Sequence, residues 1–124
     1  MPQRVYSCSA DEAQALKKLL EYDPYLDKNM SEEQLAKLKK DEDANVIFAR
    51  QDYLLKDGIS LSQDREKYYL YLNANEEFME RAEKKLKANI KSIARVDPDT
   101  ESQIIEDIES ERHASEQGLG SIFG

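Results

Sequence analysis

Apolar positions recur along this chain with two different periods, and the elements follow from where each period begins and ends. Arg4-Val5-Tyr6-Ser7-Cys8 mixes β-branched and aromatic residues and predicts a strand over 4–8. Ser9 and Glu12 then stand at capping-box spacing, and Ala13, Leu16, Leu19 and Leu20 follow at helical intervals. This predicts a helix over 10–22, stopped by Asp23-Pro24. Ser31 and Gln34 form a second capping box, flanked by Met30 and Leu35 as a hydrophobic staple, for a helix over 32–41. Its apolar residues are Leu35 and Leu38, with Lys37, Lys39 and Lys40 outward.

The middle of the chain reads as strands. Val46-Ile47-Phe48 predicts a strand over 45–50, and Tyr53-Leu54-Leu55 one over 52–56, ended by the turn signal Lys56-Asp57-Gly58. Tyr68-Tyr69-Leu70-Tyr71-Leu72 predicts a strand over 67–73, with Tyr69 and Tyr71 on one face and Tyr68 on the other. Residues 43–56 contain no Gly or Pro, so a helix is the alternative there, and an all-α bundle is the alternative fold. Asn73 and Glu76 then stand as a helix cap, and Phe78, Ala82, Leu86, Ile90 and Ile93 predict a helix over 75–94.

Val96-Asp97-Pro98 interrupts and restarts the chain, with Asp97 as N-cap and Pro98 at the first helical position. The last helix is predicted over 97–117. Ile104, Ile105 and Ile108 pack its first half on the body, and Gly118 ends it. The expected architecture is an α+β body over 1–96, with a small antiparallel sheet in β-α-α-β-β order. The C-terminal helices then form a two-helix hairpin over one face, and residues 118–124 an apolar, glycine-rich tail. The β-α-β-β-α portion is similar to half of a ferredoxin-like split unit, a likeness that implies a fold and no function.

Charge changes this picture. The 124 residues carry 18 Lys+Arg against 26 Asp+Glu, a net charge of -8. Eight acids (Asp97, Asp99, Glu101, Glu106, Asp107, Glu109, Glu111 and Glu116) and one base, Arg112, fall within 97–124, so that segment holds -7 of the total. Lys84, Lys85, Lys87, Lys91 and Arg95 precede it, so a helical hairpin is expected to set bases beside acids and to weaken when Lys84 and Lys91 become Glu. A net acidic chain lacks the basic stripe that a phosphate backbone requires, so no direct nucleic-acid binding is expected. A mean hydropathy of -0.80 and the absence of a long apolar run exclude a membrane span. With one cysteine and no apolar leader, a reducing cytoplasm is the expected compartment.

Candidate chemistry is sparse. Cys8 lies just before a helix start, where free N–H groups favour a thiolate. It lacks a Cys-x-x-Cys partner, and the single histidine, His113, sits in the acidic segment, so a structural cysteine is expected. Glu106, Glu109 and His113 share a helical face but lack facing ligands, so no metal site is expected. No catalytic residue and no cofactor are expected, because phosphate loop, nucleophile elbow, zinc pattern and dinucleotide fingerprint are all absent.

The remaining feature is the end of the chain. Leu119, Ile122 and Phe123 follow Glu109, Glu111 and Glu116, and these six residues are the expected partner-binding set. They predict a non-catalytic protein-interaction or accessory subunit whose partner offers a basic or apolar groove, with a homo-oligomer as an alternative. Glu116, Leu119, Ile122 and Phe123 also have spacing similar to the sliding-clamp-binding peptide of replication proteins, although the Gln is one place late at Gln117 and Ile122 replaces an aromatic. The alternative class is a small-molecule-binding or enzymatic domain with a pocket between protomers, lined by Cys8 or the tyrosines.

Overall fold

The computed structural model describes residues 2–41 and 46–123, with side chains described as far as Ala114. Four strands, β1 (Gln3–Ser9), β2 (Asp52–Asp57), β3 (Lys67–Asn73) and β4 (Ala94–Arg95), form one antiparallel sheet in the order β2-β3-β1-β4. Four helices accompany it: α1 (Ala13–Glu21), α2 (Glu32–Lys40), α3 (Glu76–Asn89) and α4 (Pro98–Phe123). The fold is therefore α+β, as the sequence implies. Without α2 and α4, the chain order and the sheet order are those of a ferredoxin-like split β-α-β unit.

Strand alternation divides the core into two layers. Tyr6 and Cys8 of β1 and Leu70 and Leu72 of β3 face Leu16 and Leu20 of α1 and Met79, Ala82 and Leu86 of α3. Val5, Tyr69 and Tyr71 face the other way, against Ile104 and Ile108 of α4. Tyr68 packs on the α1–α3 side, so the tyrosines alternate as expected. The predicted helical hairpin over one face does not form, because the sheet stands between α3 and α4. The reason is legible in β3, whose residues 69 to 72 are all buried. A strand that is apolar on both sides needs a layer on each.

The basic stretch meets other partners as a result. Lys87 pairs with Glu83 in its own helix, Lys85 Nζ donates to the Val46 carbonyl, and Arg95 alone of the five bases pairs with an acid of α4 among the described contacts. The expected sensitivity to Lys84→Glu with Lys91→Glu accordingly loses its basis.

Several local expectations also change. Ser9 makes no side-chain cap bond, because Ala10–Glu12 is a 3-10 turn. Its Oγ instead bonds Ser92 Oγ, and the Glu12 carboxylate accepts the Lys91 and Ser92 backbone N–H groups. The Ser31–Gln34 capping box forms in full. The α3 cap is Asn75 rather than Asn73, with its Oδ1 accepting the Phe78 N–H at 2.8 Å. Of the strand predicted over 45–50, the described residues 46–50 are not a strand. Val46, Ile47 and Phe48 are buried, Phe48–Arg50 forms a 3-10 turn, and positions 42–45 lie outside the described residues. The helix predicted to reach 94 ends at Asn89, which frees Ala94 and Arg95 to pair with β1. Gly58 closes the long β2–β3 turn, where a Cβ would collide with the Asp64 carbonyl oxygen. Gly118 does not end α4, which runs on to Phe123. No described glycine takes the left-handed conformation that a C-terminal stop uses.

The edge of β1 opposite β3 is longer than β4, and side chains complete it. Val5 accepts from the Val96 N–H at 3.1 Å, and its own N–H donates to Glu101 Oε2 at 3.0 Å. Arg95 clamps the same carboxylate through two bonds of 2.9 and 2.7 Å. Burial pushes the Glu101 carboxyl up, but Arg95 and the Val5 N–H outweigh it and hold the group below the usual carboxylate range. Its contribution to stability is thus complete above the unfolded value near 4.5 and is lost as the pH falls through the lower folded value. Glu101→Gln is expected to cost about 1–3 kcal/mol at neutral pH, with the gap to the parent closing in acid. Urea melts of both proteins across the acid range check this, and a gap that persists at low pH would refute it.

Candidate interaction surface

From its N-terminus, α4 is a strap across the sheet. Asp97 caps it, its Oδ2 accepting the Thr100 N–H at 3.0 Å, and Glu101 ties its first turn to β1. Ile104 and Ile108 are buried one and two turns on. Polar groups then continue the attachment. Gln3 Nε2 donates to Tyr71 Oη at 2.7 Å and to Glu109 Oε1 at 2.9 Å. Lys56 Nζ meets Glu111 Oε2 at 2.5 Å. Arg112 makes two bonds to Asp52, at 3.1 and 2.9 Å, and lies over the Tyr71 ring with its guanidinium carbon 5.4 Å from the centroid.

These contacts settle the positions of two of the six expected partner-binding residues. Glu109 and Glu111 are exposed, but both are engaged with the sheet rather than left free for a partner. Arg112 and Asp52 are each more than 40% exposed at their side chains, so the pair contributes about 0–1 kcal/mol and serves chiefly to orient the helix. Glu116, Leu119, Ile122 and Phe123 belong to α4, and their side chains lie outside the described residues. The sliding-clamp spacing falls on the same residues. Sequence reasoning missed Asp52, Lys56 and Arg112 as the fastening of α4. The signal was Arg112 itself, the one base among eight acids in 97–124.

The alternative chemistry finds less support. Cys8 is 1% exposed, and burial together with the nearby Glu12 carboxylate pushes its thiol up to about 11. The intervening 3-10 turn also removes it from the first turn of α1. Tyr69 and Tyr71 are buried under α4, and no group of three or more His, Cys, Asp or Glu gathers among the described residues. Two open recesses flank β2. One, of about 650 Å³, lies on the α4 side between Lys56, Ser60, Tyr68 and Asp107. The other, of about 430 Å³, lies on the α1 side between Lys17, Leu20, Tyr53 and Tyr68. No helix among the described residues is long and apolar enough to cross a membrane.

No protein-family model, curated protein or solved structure matches this chain. The class its fold defines is therefore an α+β domain of split β-α-β topology with a long helix strapped across its second face.

The Cys8 thiol is expected to resist a thiol reagent at neutral pH in the folded protein and to react at once in denaturant. Rapid labelling under native conditions, read by mass spectrometry, would contradict this burial.

Proposed function

We propose that this chain is a non-catalytic interaction or accessory subunit, and that its contact surface is the distal part of α4 with the apolar residues of 118–124. One observation carries the reading: α4 outruns the sheet it covers. Its 26 residues make a helix of about 39 Å, whereas the seven residues of β3 span about 23 Å. The sheet contacts described above run from Glu101 to Arg112, and the helix continues for eleven positions to Phe123.

Helical phase supports the same reading. Positions 104 and 122 are eighteen apart, as are 105 and 123, and eighteen residues are five turns of an α-helix. Ile122 and Phe123 therefore repeat the phase of Ile104 and Ile105 beyond the stretch from 109 to 118, which holds no aliphatic residue larger than alanine. An apolar stripe that recurs in phase after a polar gap is the pattern of a helix with two docking segments, one for the body and one for a groove elsewhere. Glu106 precedes that gap and Glu116 lies within it, and their negative charge favours a partner whose groove is rimmed by bases.

Deleting residues 118–124 tests this directly. The truncated chain is expected to melt within about 2 °C of the parent and to lose its partner in co-purification from the native source. A fall of more than about 5 °C would assign these residues to the chain's own core and overturn the proposal.

A further inference from the structure

The two edges of the sheet are finished differently. The β1 edge is covered by β4, Glu101, Val96 and Ser92, whereas among the described residues no strand or cap pairs with the outer edge of β2. Register fixes what that edge presents. The Gly58 N–H donates to the Lys67 carbonyl at 2.9 Å, so in the β2–β3 ladder 56 pairs with 69 and 54 with 71 through hydrogen bonds. Residues 53, 55 and 57 then direct their N–H and C=O groups outward. None of the six β2 residues is buried, although Tyr53, Leu54 and Leu55 are apolar.

We propose that this edge pairs with the same edge of a second copy, antiparallel about a two-fold axis through Leu54, joining two four-stranded sheets into one of eight strands. The side chains select the register. Pairing requires outward-facing residues to meet outward-facing residues, so the axis passes through a single residue. An axis through Lys56 sets lysine against lysine, and one through Leu55 sets Tyr53 against Asp57. An axis through Tyr53 sets Leu54 against Asp52. Centred on Leu54, Tyr53 faces Leu55 of the second copy on the α1 side, and Asp52 faces Lys56 of the second copy on the α4 side.

That register also extends contacts already present. Lys56 is bonded to Glu111 and Asp52 to Arg112, so each junction becomes a row of alternating charge: Glu111, Lys56, then Asp52 and Arg112 of the second copy. Charges on an exposed edge strand ordinarily repel other edges. Here they are placed so that two copies of one edge match, with four backbone hydrogen bonds supplied by residues 53 and 55.

The 124-residue chain tests this by sedimentation equilibrium at about 100 µM, where a species of twice the 14.3 kDa chain mass is expected. Lys56→Glu is expected to weaken dimerisation about tenfold at low salt, since it sets like charges opposite each other. In the ladder between copies Leu54 is a non-hydrogen-bonded position and would face itself at a Cα separation of about 4.5 Å, within disulfide reach. Mild oxidation of Leu54→Cys is thus expected to give a covalent dimer, while Ile59→Cys, at an exposed loop position, forms none. A monomeric parent chain, or a dimer in which Leu54→Cys fails to crosslink, overturns the proposal. The crosslinking arm also stands apart from Lys56→Glu, which loses its bond to Glu111 as well.

Discussion

One carboxylate holds the architecture together. Glu101 lies on α4, yet it accepts a backbone N–H from β1 and is clamped by the side chain of β4. Three elements distant in sequence are thereby joined at one point. The need arises because β4 has only two residues, so β1 would otherwise leave the Val5 N–H unpaired in a position that is fully buried. A buried backbone donor without a partner costs a large part of a domain's net stability. Answering it from the first turn of α4 fixes where that helix starts and which side of the sheet it covers.

Both layers of the core follow from that placement. With α4 on the second face, Tyr69 and Tyr71 are buried on one side of β3 while Leu70 and Leu72 are buried on the other. The polar fastenings further along α4 are of a different kind. Arg112 with Asp52 and Lys56 with Glu111 are partly exposed pairs that contribute little energy but align the helix over β2. α4 thus has a first half anchored by buried contacts and a continuation held by exposed polar ones.

Short-range patterns were legible where local geometry alone decides. The Ser31–Gln34 capping box, the Asp97-Pro98 start and the turn at Gly58 each depend on a few neighbouring residues, and each is present. The alternation of Tyr68, Tyr69 and Tyr71 belongs to the same class, because pleating leaves no other choice. Patterns whose competitor is distant were misread. Ser9 and Glu12 have the spacing of a cap but bond the turn at Lys91 and Ser92, some eighty residues away. Val46, Ile47 and Phe48 are β-prone and buried, yet none pairs with a strand: Val46 and Phe48 join the α1–α3 layer of the core, and Phe48 opens a 3-10 turn. The candidate surface was half legible. Its acids and apolar residues stood out in the charge count, but the engagement of Glu109 and Glu111 depends on Gln3 and Lys56, which nothing local connects to them.

The sequence by itself determined the types of the longer helices and of the strands β1, β2 and β3, the α+β class and the concentration of negative charge in the last helix, because propensity, period and capping act within a few residues. Tertiary structure decided which face of the sheet each helix covers, that Ala94 and Arg95 become a strand, and which acids are spent internally. Those outcomes turn on groups far apart in the chain meeting across a buried layer. A backbone donor such as that of Val5 acquires its partner only when the whole sheet is assembled.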